Sequence, residues 1–179
     1  LSTLFLKTGN LKDGWKLYEA RFFGKDCIKK PESSKPEWSG FSIKDKTIYI
    51  QHEQGIGDCI MFSRFIYTLN EMGAKVLFKP HKVLYQLFKE NDMPCELVEH
   101  DMSIDDLEFD TFIPLMSLPT VLNLDESNIP KKDGYLKADP VKTLEYKKMF
   151  FDNKKLKVGI CWQCKNVFRQ DKLRSIPDI

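Results

Sequence analysis

The sequence has no long apolar segment, few cysteines and almost no excess charge. No stretch approaches the ~18 apolar residues that a membrane-spanning helix requires, so a membrane span is excluded. Lysine and arginine number 28 against 26 aspartates and glutamates, a formal net charge of +2, which gives no electrostatic argument for nucleic acid or a membrane surface as a partner. Five scattered cysteines do not build a secreted disulfide scaffold, and the first residues lack the features of a signal peptide. We therefore expect a cytoplasmic protein.

The chain does have enough apolar residues for one packed domain, 42% of its 179 residues. It has no initiator methionine. The closing residues "RSIPDI" place Asp178 three positions after Ser175, a capping-box pattern with Pro177 in the first turn of a helix. We therefore expect this chain to be a piece of a longer protein.

The first 46 residues divide into a helical part and a connector. Apolar residues at helical spacing follow the turn signal Gly9-Asn10, namely Leu11, Trp15, Tyr18 and Phe22. This pattern predicts a helical hairpin over residues 1–24, with its first helix truncated. Residues 25–46 contain polar clusters, prolines and glycines, which are typical of a connector. We expect Trp38 to anchor this connector to the core.

From residue 47 onward, short apolar runs alternate with helical patterns. Strands are predicted at 47–51, 75–79, 95–99, 109–114 and 156–162. Helices are predicted at 58–72, 82–91 and 140–151, with a helical or irregular segment at 115–122 and an extended piece at 134–138. Such alternation indicates an α/β domain with a largely parallel sheet. Ligands of such sheets bind beyond the carboxyl ends of the strands, which directs attention to the loops 52–58 and 163–175.

The stretch "HEQGIGDCI" at 52–60 directly follows the first predicted strand. A dinucleotide fingerprint would need a small residue where Ile60 stands and an acidic end to the next strand, so this chemistry is disfavoured. We expect Gly55 and Gly57 to turn the backbone sharply and Asp58 to lie at a helix N-terminus. Asp58 is then either a helix cap alone or an ionised carboxylate that acts as a general base.

Three other patterns carry weaker signals. "CWQC" at 161–164 could be a redox pair, but Cys161 lies in the last predicted strand and we expect it to be buried. The three histidines are scattered along the sequence and offer no ligand spacing, so no metal is expected. The acidic segment 101–110 is interpreted as a solvated loop rather than a cation site.

Several motifs occur in one order: "GNLKDGWKLYEARF", "PEWSG", "IYIQHEQGIGDCIMFSRFIYTL", "FIPLMSLP", "GYLKADP", "KVGICWQ" and "DKLRSI". This ordered set resembles bacterial proteins in which tetratricopeptide repeats precede a glycosyltransferase domain. That domain is similar to heptosyltransferases and, more distantly, to the O-linked N-acetylglucosamine transferases. The resemblance covers nearly the whole chain.

The resemblance implies that residues 47–179 are the amino-terminal, Rossmann-like half of a two-domain GT-B glycosyltransferase, with helices on both faces of a mostly parallel sheet. Residues 1–24 would be the end of a tetratricopeptide-like array that could bind a protein partner. The activity would be sugar transfer from a nucleotide sugar to an acceptor hydroxyl, without a metal or other cofactor. The carboxyl-terminal half is absent from this chain, so we expect the fragment alone to be inactive.

The resemblance also assigns roles to particular residues. Asp58 would be the general base, and Gly55 and Gly57 would shape its loop. Substrate-binding roles near the interdomain cleft carry over to four further residues: Trp162, Gln163, Arg174 and Ser175. The chain departs from the family at Cys164, where glycine is common. That departure favours the alternative of a non-catalytic interaction module with a degenerate transferase domain.

Overall fold

A computed structural model describes residues 1–24, 27–130, 134–151, 153, 155–162 and 175–176. The chain divides into two compact units, Leu1–Lys137 and Ala138–Ile179. None of the helices in these described ranges is long and apolar enough to cross a membrane.

The first unit opens with the predicted pair of helices, α1 (Ser2–Lys7) and α2 (Leu11–Tyr18). Gly9 turns the chain between them with φ of 85°, and Asn10 caps α2 by accepting a hydrogen bond from the Asp13 amide. Gly14 is buried against α1, where an added Cβ would lie 2.7 Å from Cδ2 of Leu6. A 3₁₀ turn, Glu19–Phe22, follows α2 directly.

Four parallel strands form one sheet in the order β3-β2-β1-β4, which confirms the predicted α/β class. The strands are β1 (Thr47–Gln51), β2 (Lys75–Lys79), β3 (Glu96–Leu97) and β4 (Thr111–Pro114). The register pairs Gln51 with Lys79 on one side and with Pro114 on the other. The carboxyl ends of β2, β1 and β4 therefore lie side by side.

Both faces of the sheet are covered. Ile48 and Ile50 of β1 point into the larger core, together with Phe78 and Ile113 of the neighbouring strands. Three groups of helices pack around this core. The first is α3 (Ile56–Phe62) with α4 (Phe65–Glu71). The second is the 3₁₀ turn Lys82–Leu84 with α5 (Tyr85–Lys89), and the third is the 3₁₀ turn Leu115–Ser117 with α6 (Leu118–Val121). The opposite face holds a smaller cluster around Tyr49, which a segment including the 3₁₀ turn Ile104–Asp106 covers.

The helix predicted over 58–72 is two helices, α3 and α4, separated at Ser63 and Arg64. The Ser63 hydroxyl donates to the carbonyl of Ile60 (2.8 Å), and Nε of Arg64 donates to the carbonyl of Met61 (3.0 Å). Side-chain donors that occupy backbone carbonyls compete with the helical hydrogen-bond pattern. The predicted end of the segment is confirmed at Gly73, which has φ of 86°.

The connector is held to the sheet by Trp38, as predicted. The Trp38 side chain is only 2% exposed, and its indole Nε1–H donates to the carbonyl of Phe41 (2.8 Å). Its backbone amide donates to the carbonyl of Phe112 (2.8 Å) in β4. The connector therefore covers part of the outer edge of β4.

The second unit contains α7 (Pro140–Phe150), which Asp139 caps by accepting a hydrogen bond from the Lys142 amide. The strand predicted at 156–162 is wrong, because these residues form no strand in the structure. An extended apolar segment becomes a strand only beside a neighbour that supplies a ladder of backbone hydrogen bonds, and among the described residues the backbone bond of this segment is a single one at its end, from the Ile176 amide to the Trp162 carbonyl. Cys161, expected to be buried in that strand, is exposed for the same reason.

Candidate functional site

The loop 52–55 leaves the carboxyl end of β1 and leads into α3. The sharp turn is at Gln54, which has φ of 63°, in the left-handed region. The expectation that Gly55 and Gly57 make this turn is wrong: Gly55 is extended, with φ −82° and ψ 168°, and Gly57 lies within the first turn of α3. Gly55 instead provides room, because an added Cβ would lie 3.0 Å from Oδ2 of Asp58.

Asp58 is half-buried at the third position of α3, and Gly55 is the N-cap residue. The Gly55 amide donates to Oδ2 of Asp58 at 3.0 Å, which is one half of a capping box. Oδ1 of Asp58 has no hydrogen-bond partner among the residues that the structure describes. Asp58 is therefore both a helix cap and a carboxylate with one oxygen available to a ligand.

Glu53, which no sequence pattern predicts as a site residue, is buried although it lies in a loop. Its carboxylate pairs with Arg21, at 2.7 Å from Nη2 and 3.0 Å from Nε. Arg21 belongs to the 3₁₀ turn that follows α2, 32 positions earlier in the chain. Both residues stand inside the quoted motifs, but no spacing rule connects them, so only the fold could show the pair.

The fold also brings together histidines that are scattered along the sequence. His52 follows β1 and His81 follows β2, and their ring centroids are 5.2 Å apart. Nδ1 of His52 lies 3.2 Å from the carbonyl oxygen of Lys79, which assigns the proton to Nδ1 when the ring is neutral. Burial lowers the pKa of His52, and positive charge on His81, His100 and Lys79 lowers that pKa further.

No group of three or more histidine, cysteine, aspartate or glutamate side chains in the described part of the chain is arranged to hold a metal ion. In the acidic segment 101–110, Oδ2 of Asp110 accepts a hydrogen bond from the Thr47 amide at 2.7 Å. This carboxylate therefore fixes the start of β1.

The structure places the remaining predicted site residues in the second unit or outside the described residues. The carbonyl of Trp162 accepts a hydrogen bond from the Ile176 amide (2.9 Å), so Ser175 and Trp162 belong to adjacent segments. Gln163, Cys164 and Arg174 lie outside the described residues. Asp58 and its two glycines thus form one local site in the first unit, and Trp162 and Ser175 form a second group in the other unit.

The chain is similar to protein FlbA of Caulobacter vibrioides, with 26% identity over 184 residues. The match covers 90% of this chain and 30% of FlbA, so the chain spans less than a third of that relative's length. No family model and no solved structure matches the chain. At this level of identity the activity has to be argued from the residues themselves.

Proposed function

We propose that this chain is the amino-terminal half of a nucleotide-sugar-dependent glycosyltransferase, in which Asp58 is the general base. The observation that carries the proposal is the position of Asp58. It stands beyond the carboxyl end of β1 in a parallel sheet, where ligands of such folds bind, and its Oδ1 has no partner among the described residues.

The reaction requires a base at this place. The acceptor hydroxyl oxygen forms a bond to the anomeric carbon of the sugar while the bond from that carbon to the leaving phosphate oxygen breaks. The hydroxyl proton passes to Oδ1 of Asp58, and the bonding electrons of the broken bond leave with the nucleotide. A positioned carboxylate contributes roughly 10²–10⁴-fold by accepting such a proton.

The Gly55 amide supports this role of Asp58. It holds Oδ2, so the orientation of Oδ1 is set by a fixed side chain. The negative charge on the leaving nucleotide needs cations or N–H donors. We assign these to the other half of the full-length enzyme and to the region of Trp162, Gln163, Arg174 and Ser175.

The proposal includes a cytoplasmic location and a protein partner for the tetratricopeptide-like hairpin. The described cysteines, Cys27, Cys59, Cys95 and Cys161, are all free thiols, as is usual in a reducing compartment.

The test is carried out on the full-length protein with a panel of nucleotide sugars, by following transfer and donor hydrolysis. Asp58→Asn should lower kcat by roughly 10²–10⁴-fold. Asp45→Asn is the matched control, because Asp45 precedes β1 at the opposite end of the sheet and should leave kcat unchanged. Unchanged turnover in Asp58→Asn would remove Asp58 as the base.

Isothermal titration of the wild-type full-length protein with the same panel tests the enzyme itself. A transferase should bind at least one nucleotide sugar. Binding of none would contradict the proposal and would favour a non-catalytic interaction module in which the transferase domain is degenerate.

A further inference from the structure

We propose that Arg21 and Glu53 are positioning residues that couple the opening helical hairpin to the loop carrying Asp58. Through this ion pair, the end of the hairpin fixes the path of the loop 52–55 and therefore the place of the carboxylate. The consequence for catalysis rests on the proposed function, whereas the coupling itself can be measured independently of activity.

Arg21 is fully engaged. A guanidinium has five N–H donors, and all five have acceptors here. Nε and Nη2 donate to the two carboxylate oxygens of Glu53, and Nη2 also donates to the hydroxyl of Ser117 at 2.8 Å. Nη1 donates to Glu19 (2.9 Å) and to the carbonyl of Tyr18 (3.2 Å). With 8% of its side chain exposed, Arg21 has one geometry available.

Glu53 is held from two directions. Its Oε1, already paired with Arg21, also accepts a hydrogen bond from the Met116 amide at 3.0 Å. Met116 lies in the 3₁₀ turn that follows β4, so Glu53 ties together the hairpin, the end of β1 and the end of β4. Burying two charges costs about as much free energy as their attraction returns, so we assign the pair a role in geometry more than in stability.

A second hydrogen bond joins the hairpin to Gln54, the residue after Glu53. The hydroxyl of Tyr18, the last residue of α2, donates to Oε1 of Gln54 at 2.8 Å. Gln54 has the left-handed backbone that turns the chain into α3. The next amide, that of Gly55, donates to Asp58. Three consecutive loop residues are thus fixed, two by the hairpin and one by Asp58 itself.

The test uses the full-length protein and two measurements, hydrogen exchange of the peptide covering residues 52–60 and the kinetic constants of sugar transfer. Glu53→Gln is the main variant, because its amide NH₂ would face Nε–H of Arg21, donor against donor. Tyr18→Phe removes a single hydroxyl and is the mild variant. Glu37→Gln is the matched control, since Glu37 forms an ion pair of the same length (2.7 Å) with Lys30 in the connector.

In Glu53→Gln, exchange within 52–60 should accelerate about tenfold or more, while exchange in β2 stays unchanged. Misplacing the base should lower kcat by about 10²-fold and leave KM within about twofold. Tyr18→Phe should produce the same pattern with smaller changes. Arg21→Lys should show the same faster exchange and lower kcat as Glu53→Gln, because an ammonium cannot bond both carboxylate oxygens of Glu53 as the guanidinium does. Glu37→Gln should match the wild type in both measurements.

Unchanged exchange within 52–60, or an equal acceleration across the whole chain, would overturn the coupling. If Glu53→Gln does not fold, Tyr18→Phe decides the matter by the same two measurements. A wild type without transfer activity would defeat the proposed function alone, because the exchange measurement still tests the coupling. If Glu53→Gln loses activity while Asp58→Asn retains full activity, Asp58 is not the base. The coupling would still be supported as long as exchange within 52–60 is faster in Glu53→Gln.

Discussion

The amide nitrogen of Gly55 lies 3.0 Å from Oδ2 of Asp58, and this bond closes the first turn of α3. Asp58→Ala should therefore lower the free energy of unfolding by about 1–2 kcal/mol, since both the cap and the charge are lost. Asp58→Asn keeps an oxygen for the amide and loses only the charge at the helix N-terminus, so it should cost about 0.3–1 kcal/mol.

Urea denaturation of the two variants measures both values. Glu71→Ala is the control, because Glu71 is the last residue of α4 and a negative charge there opposes the helix dipole. That substitution should leave stability unchanged or raise it slightly. A loss of stability in Asp58→Asn as large as in Asp58→Ala would mean that the charge, and not the hydrogen bond, stabilises the turn.

Two glycines should respond to alanine in opposite directions. Gly73 has φ of 86°, and an added Cβ would lie 3.2 Å from Cγ of Lys44, so Gly73→Ala should cost about 1–2 kcal/mol. Gly57 lies in a helix, and beyond its chain neighbours and the backbone of that helix no atom of the described residues lies within 4 Å of an added Cβ, so Gly57→Ala should add up to about 1 kcal/mol. Thermal unfolding of the two variants compares them directly, and destabilisation by Gly57→Ala would contradict the helical position of Gly57.

The sheet could be predicted from the sequence because its strands are short apolar runs between turn signals. β2 matches its prediction at both ends, and β1 does so as well. The position of these two strands is determined by residues within the strand and directly next to it. The helix break at Ser63 was missed because it depends on the rotamer that lets a side-chain hydroxyl reach a carbonyl, which no periodicity records.

The candidate site was predicted in part. The helix position of Asp58 followed from the sequence, whereas the turn was assigned to glycines and is at Gln54, because Gln54 is stabilised by a distant residue, Tyr18. The Arg21–Glu53 pair joins residues 32 positions apart, and only the folded chain brings them together. Long-range contacts of this kind determine the geometry of the site, and no periodic pattern of residues in the sequence indicates them.

His52 should make the free energy of unfolding depend on pH below about 6.5. Burial lowers its pKa in the folded state, so between the unfolded value of ~6.5 and that lower value the unfolded state binds more protons. Stability is therefore retained above pH 6.5 and falls as pH decreases, by at most about 1.4 kcal/mol per pH unit. Urea denaturation between pH 7.5 and 5.5 measures this, and His52→Gln should flatten the dependence.

Titration of the His52 ring by NMR gives the same quantity directly. The groups that face this ring are His81, His100 and Lys79, all of which can carry positive charge, and the carbonyl oxygen of Lys79. A midpoint below 6.5 is expected. A midpoint at or above 6.5 would mean that the ring is solvated or that a carboxylate approaches it.

The cysteines should divide sharply in their reactivity toward a thiol reagent at pH 8. Burial raises the pKa of Cys59 to about 11 and that of Cys95 to about 12, whereas Cys161 is exposed. A thiol with a pKa near 11 is ionised at pH 8 in only about one molecule in a thousand, and the thiolate is the reactive form. In native protein the reagent should therefore modify Cys161 quickly and leave Cys59 and Cys95 unmodified.

Mass spectrometry of the labelled peptides identifies the modified residues, and all five cysteines should react in denaturant. Cys161→Ser is the control that removes the exposed thiol. Cys59 follows Asp58 in α3 and is completely buried, so its protection depends on the helix staying packed against the sheet. Rapid labelling of Cys59 in the wild type would contradict a fixed loop 52–55. Faster labelling in Glu53→Gln than in Glu37→Gln would instead show that the hairpin holds this helix in place.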